Sequence, residues 1–211
     1  MANNTSVNQP GGGIYGFFNS NLNIVRSTIS GNVGGDVAGG LRTLGNLTVT
    51  NSTIHNNFSA NWHGGAAFIT DGTATFTNST ITGNTSPDGT AGGLMVATFG
   101  APVSVTVTNS IVADNGTYNC QVEGGGAAVL TSGGNNVFTD ASCSPIASDQ
   151  VVADPGVGPL ADNGGPTQTQ ALLPGSPAID VADAGACPAT DQRGVARDGS
   201  CDVGAFELED T

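Results

Sequence analysis

Between residues 22 and 112, apolar and polar side chains alternate in short runs that recur along the chain. Leu47 and Val49, Ala74 and Phe76, and Val105 and Val107 share one face of an extended segment. Thr48 and Thr50, Thr75 and Thr77, and Thr106 and Thr108 take the other. Leu22 and Ile24 begin a fainter copy, with Asn23 and Val25 opposite. A period of two, with β-branched residues, predicts short half-buried strands rather than helices. Each run ends at a polar bend: LNIVRSTISGN (22–32), LTVTNSTIHNN (47–57), ATFTNSTITGN (74–84) and VTVTNSIVADN (105–115).

Aligned on that bend, the copies form columns. Arg26, Asn51, Asn78 and Asn109 make one; Ile29, Ile54, Ile81 and Val112 a second; Asn32, Asn57, Asn84 and Asn115 a third. The steps are 25, 27 and 31 residues in every column. Glycine pairs run ahead: Gly12-Gly13, Gly39-Gly40, Gly64-Gly65 and Gly92-Gly93. A looser fifth copy is expected from Gly124-Gly125-Gly126, with NNVF at 135–138 as its later strand. Units of this length bury their apolar faces only against neighbouring units. Each holds about three short strands and three bends, one turn of a parallel β-helix with rungs about 4.8 Å apart. The expected fold is all-β: about five coils over residues 1–139, then a loop-rich, disulfide-tied C-terminal cap over 140–211.

Stacking places equal positions over each other. The columns Asn51, Asn78, Asn109 and Asn32, Asn57, Asn84, Asn115 are therefore expected to act as side-chain ladders. Asn also tolerates the left-handed backbone of a bend. Leu22, Ile24, Ile29, Leu47, Val49, Ile54, Ala74, Phe76, Ile81, Val105, Val107 and Val112 should point inward. An open first coil would present unpaired strand edges. Self-association, or upstream β-helix coils, is expected at the N-terminal end. Phe17 and Phe18 are adjacent, so on a strand only one would face inward.

Charge narrows the functions. Seventeen acids against four Arg and no Lys give a formal charge of −13. Such a surface repels nucleic acid and anionic membranes. No run of about 18 apolar residues exists to span a bilayer. The start, MANNTSVNQP, lacks the basic and apolar parts of a secretory signal. Cys120, Cys143, Cys187 and Cys201 form no CxxC pair, and both His residues, His55 and His63, lie far upstream. Two disulfides and an oxidising exterior are expected rather than a metal site.

GGAAF (64–68) followed by ITGN (81–84) resembles the GGA(I/L/V) and FxxN repeats of polymorphic outer membrane proteins. DPGVGPLADNGGPTQTQALLPGSPAID (154–180), then CPATDQRGVARDGSCDVGAFE (187–207), resembles the C-terminal part of choice-of-anchor Q domain proteins, which are bacterial β-helix surface proteins. The repeat likeness spans roughly 11–115 and is shared with pectin-lyase-like right-handed β-helices generally. These resemblances imply an exported bacterial protein at the cell surface or outside the cell, a right-handed coil and further coils upstream; the right-handed rule for parallel crossovers agrees on the hand. In this family an anchoring segment often follows, whereas this chain stops at Glu209-Asp210-Thr211. The resemblance carries over no catalytic residue. In the tail, Cys187 with Cys201 would pin the loop holding DQRG, leaving Cys120 with Cys143, one of three possible connectivities.

Four chemistries have candidate residues in this sequence. Carbohydrate cleavage needs convergent carboxylates or a strong base, but Asp36, Asp71, Asp88 and Asp114 fall at unmatched repeat positions and Arg42 is the lone cation on a coil face. No catalytic residue and no cofactor is assigned. Ice binding would use the outward Thr files; threonine is also an ordinary strand residue. Calcium would draw on Asp149, Asp154, Asp162, Asp180, Asp183, Asp191, Asp198 and Asp202, which otherwise form a solvated surface, with Asp191 and Arg193 as a structural ion pair. Trp62, beside His63 in a loop, suits a sugar ring, a neighbouring molecule or the coil beneath. The leading expectation is a non-catalytic exported surface protein for adhesion, matrix or filament assembly. The alternatives are a carbohydrate-binding or carbohydrate-cleaving β-helix with a glycan or cell-surface partner, and an ice-binding protein.

Overall fold

The computed structural model describes residues 1–7, 11–87 and 89–209; Asp88 and the end at Asp210 and Thr211 lie outside the described residues. Three parallel sheets run along a solenoid. Sheet 1 stacks Ile14–Gly16, Leu41–Thr43, Ala67–Thr70, Ala91–Ala97 and Tyr118–Glu123. Sheet 2 stacks Asn21–Val25, Asn46–Thr50, Gly72–Thr77, Val103–Thr108 and Ala128–Gly134. Sheet 3 stacks Thr28–Ser30, Thr53–His55, Thr80–Thr82, Ile111–Ala113, Val137–Phe138 and Gln150–Val151. A short ladder of Thr5–Ser6, Val33–Gly34 and Phe58–Ser59 turns the corner back to sheet 1. Among the described residues the one helical piece is a 3-10 turn, Gly125–Ala127.

The register follows the sequence columns. Leu22, Leu47, Ala74, Val105 and Leu130 pair in one line, and Ile29, Ile54, Ile81, Val112 and Phe138 in another. All twelve residues expected inside belong to one continuous core, Leu22 at its partly covered end. Because a coil contributes only a few apolar side chains, cohesion comes from rung stacking as much as from burial.

The glycine pairs align as expected in the first, second and fourth copies and are offset by one in the third. Gly12, Gly39, Gly65 and Gly92 align, and the third copy fills the second position with Ala66. A side chain in this column would strike backbone: a Cβ at Gly39 would sit 2.4 Å from Phe58 N, and one at Gly92 2.2 Å from Asn115 O. The fifth coil also begins earlier than expected, at Tyr118–Glu123, and Gly124–Gly126 only turn it toward Ala128–Gly134. Its later strand, Val137–Phe138, falls where NNVF was expected.

The tail has two parts. Residues 139–151 close the far end: Cys143 is buried in the core and bonded to Cys120, and Gln150–Val151 adds a sixth strand to sheet 3. The rest does not cap the end. It folds back along the outer face of sheet 3 as far as the first coil. Leu172, Ala178, Val203 and Phe206 pack on Ile111, Ala113 and Val137 as a second core. At the opposite end of this strap, buried Gln192 takes a hydrogen bond from Thr53 Oγ1 at 2.7 Å and gives one to Thr28 Oγ1 at 2.9 Å. Cys187 and Cys201 are bonded within it.

Candidate functional site

The two Asn columns behave differently. Asn32, Asn57, Asn84 and Asn115 form a buried amide ladder, each Nδ2 donating to the next Oδ1 at 2.8–2.9 Å through Asn115. The same Oδ1 atoms also accept the backbone N–H of the residue before them in the ladder. Asn4 adds a rung below and Asn119 one above, where the ladder ends on Thr139. Neither was singled out in the sequence, because Asn4 precedes the first full copy and Asn119 sits only four residues after Asn115.

Asn51, Asn78 and Asn109 do align on neighbouring rungs, and Asn109 Nδ2 donates to Asn78 Oδ1 at 3.4 Å, but the side-chain ladder does not continue to Asn51. Their left-handed φ values of 46°, 44° and 49° turn the side chains outward, where the strap meets them. Asn51 Nδ2 donates to Thr190 O, Asn78 Nδ2 to Asp202 O at 3.2 Å, and Asn109 Nδ2 to Asp183 O at 3.0 Å. This column is the docking line for the tail.

The outward Thr residues stand in register: Thr48, Thr75 and Thr106, extended by Thr131, and beside them Thr50, Thr77 and Thr108. Thr48, Thr75 and Thr131 are exposed, whereas Thr50, Thr77, Thr106 and Thr108 are half-buried. The tail acids do not converge: among the described residues no three of His, Cys, Asp and Glu form a ligand group. Asp154, Asp162, Asp183 and Asp198 each accept the N–H two residues on, the ordinary Asx-turn role. Asp191 does the same for Arg193 and also pairs with its Nε at 2.8 Å. Phe17 and Phe18 both lie beyond the end of their strand and are both exposed, edge-to-face at 5.0 Å.

A cleft of about 490 Å³ lies over the outer face of sheet 1. One wall is built from the loops ahead of the second and third coils, carrying Asp36, Val37, Trp62 and His63. These loops stack like rungs: Trp62 N donates to Asp36 O at 3.2 Å and Ala38 N to His63 O at 3.2 Å. The other wall is Ala97, Thr98 and Phe99 at the end of the fourth strand of sheet 1 and just beyond it, with Glu123 and Gly124 at the end of the fifth. Phe68, 3% exposed, also lines it and meets Phe99 edge-to-face at 5.9 Å. Asp71 Oδ1 accepts Ala101 N at 3.0 Å and so fixes the loop that presents Phe99. Trp62 and Phe99 are 58% and 68% exposed.

His63 Nε2 lies 3.7 Å from Glu123 Oε1, while its buried Nδ1 has no partner among the described residues. Arg42 is buried beside the cleft, its Cζ 4.6 Å from the Phe68 centroid, with Nε and Nη1 unpaired among the described residues. Burial lowers its pKa, opposed by Tyr15, Asp36 and Asp71. Of these residues the sequence marked Trp62, His63, Asp36, Asp71 and Arg42 singly. Phe68, Phe99 and Glu123 were missed: they come from different coils and share no repeat column.

No curated protein and no solved structure matches the chain. The family model for the right handed beta helix region matches residues 1–109, the stretch that carries the first three coils and the first two strands of the fourth. With more than half of its length matched and three parallel sheets stacked in register, this chain belongs to the right-handed β-helix family.

Proposed function

We propose that this protein is a non-catalytic, exported surface β-helix that holds carbohydrate in the cleft over sheet 1. The observation that carries this reading is the convergence of Trp62, from the loop entering the third coil, Phe68 of the third coil and Phe99 of the fourth on one cleft that also holds Asp36, His63 and Glu123. Ring faces stack on the C–H faces of sugars, and carboxylates and imidazole take hydroxyls. Exposing two large aromatics beside such groups is the mark of a binding groove. Two disulfides suit an exterior location. The likeness of the tail to choice-of-anchor Q proteins supports the cell surface. A holding role fits because Glu123 Oε1 already accepts Gln121 Nε2 at 3.0 Å and faces His63. Calorimetric titration with a panel of oligosaccharides tests the reading. Trp62→Ala and Phe99→Ala should each weaken binding about tenfold with the melting temperature kept. Binding by no oligosaccharide would remove the reading, and release of shorter or unsaturated products would turn it toward cleavage.

A second reading, end-to-end assembly, has its own observation. Ile14–Gly16 and Asn21–Val25 are edge strands, and Tyr15, Phe17 and Phe18 stand exposed beside them. Unpaired edges invite strand addition. Fibres or dimers in electron microscopy and sedimentation, lost in Phe17→Ser with Phe18→Lys, are the expected result; a monodisperse monomer at high concentration would reject it.

A further inference from the structure

We propose that the cleft selects a cationic, amino-bearing saccharide of the glucosamine type; this rests on the carbohydrate reading above and names its ligand class. The ionisable groups lining the cleft are two carboxylates, Asp36 and Glu123, and one imidazole, His63. The Glu123 side chain is half exposed, so its charge is available to a ligand. The walls supply Trp62 and Phe99, whose ring faces attract cations as well as stacking on sugars. Phe99 already meets a cation in this way: the Arg42 guanidinium lies 5.8 Å from its centroid and 4.6 Å from that of Phe68. Arg42 does not turn the cleft into an anion site. It is 8% exposed and outside the cleft lining, and Asp36 and Asp71 act electrostatically on its charge.

The surrounding field acts in the same direction. With a formal charge of −13, the molecule concentrates cations and repels uronates. An ammonium substituent entering between Asp36 and Glu123 gains from both carboxylates, while its sugar ring keeps the aromatic contact. An N-acetyl group in that place brings no charge and forfeits the gain.

The test is calorimetry at about pH 6 and about 0.05 M salt, then about 0.5 M. Ligands are short glucosamine oligomers, their N-acetylated counterparts, neutral glucose oligomers and galacturonate oligomers. The glucosamine oligomer should bind about tenfold more tightly than the N-acetylated one at low salt, and the advantage should shrink at high salt. Glu123→Gln and Asp36→Asn should each remove much of that preference, weakening the glucosamine oligomer far more than the neutral one. Mere attraction of a polycation to the acidic surface would be indifferent to Trp62→Ala; loss of binding in that variant marks the cleft. Equal or tighter binding of neutral or galacturonate oligomers overturns the inference and leaves the carbohydrate reading standing. So does a preference that survives both charge substitutions. If no oligomer binds, the carbohydrate reading itself has failed.

Discussion

At the scale of single residues, the inner Asn ladder does two jobs with one side chain. Asn57 Oδ1 accepts both the backbone and side-chain N–H of Asn32, and its Nδ2 donates to Asn84 Oδ1 and Ile29 O. Bends inside a solenoid leave buried amide groups that no strand partner reaches, and the amide side chain is the group that supplies both a donor and an acceptor there. Removing it strands several buried partners at once. Asn57→Ala should cost on the order of 3 kcal/mol, read from denaturant unfolding. Asn4→Ala, at the exposed end of the ladder, should cost under about 1 kcal/mol. Equal losses at both positions would show that the ladder adds nothing beyond its ends. The Gly92 column obeys the opposite rule: Gly92→Ala would press a Cβ into Asn115 O and Asn84 O, so the fourth coil should fail to stack.

At the scale of elements, the strap is what turns five weakly cored coils into one cooperative body. Its clasp is buried. Arg197 Nη1 meets Glu207 Oε2 at 2.7 Å, with side chains 1% and 3% exposed, and Arg197 Nη2 reaches Asn51 Oδ1 at 3.1 Å and Gly204 O at 2.7 Å. Removing one partner leaves a buried charge. Arg197→Met should cost about 3–5 kcal/mol, while Arg197→Met with Glu207→Gln should recover a large part of it; a double variant no better than the single would remove the ion pair from this account. The solenoid was legible in the sequence because its columns repeat, and repetition is what stacking requires. Leu47, Ala74 and Val105 read the same way because they meet the same neighbours. The strap was not legible. Thr190, Gln192 and Asp202 meet Asn51, Thr53 and Asn78 across more than a hundred residues, and no period announces it. The cleft lay in between: Trp62 drew notice as a lone Trp, but Glu123 and Phe99 converge on it only once the rungs are in register.

For the molecule as a whole, the same strap makes stability depend on acidity in a definite direction. Asp202 lies against the coils, its Oδ1 accepting Asp180 N at 2.8 Å and its Oδ2 Leu208 N at 2.6 Å. Burial pushes its pKa up to about 6, with Glu207 and Asp180 adding to the rise and its two backbone hydrogen bonds opposing it. The folded state therefore holds this proton more tightly than the unfolded chain does. A raised carboxyl contributes stability that is full below its unfolded pKa and is lost as pH rises through the folded value. Asp114 is shifted the same way, by burial and by Asp154. Between about pH 7 and pH 4 the Asp202 contribution should thus grow as the solution is acidified, the reverse of a protein held by ionised surface pairs. Thermal melting across that range tests it. The wild type should gain stability on acidification, and Asp202→Asn, which cannot take up the proton, should show a flatter profile. A wild-type melting temperature that falls steadily over the same interval, with a parallel profile in Asp202→Asn, would mean that the strap docks with Asp202 ionised and that burial is not what governs this carboxyl.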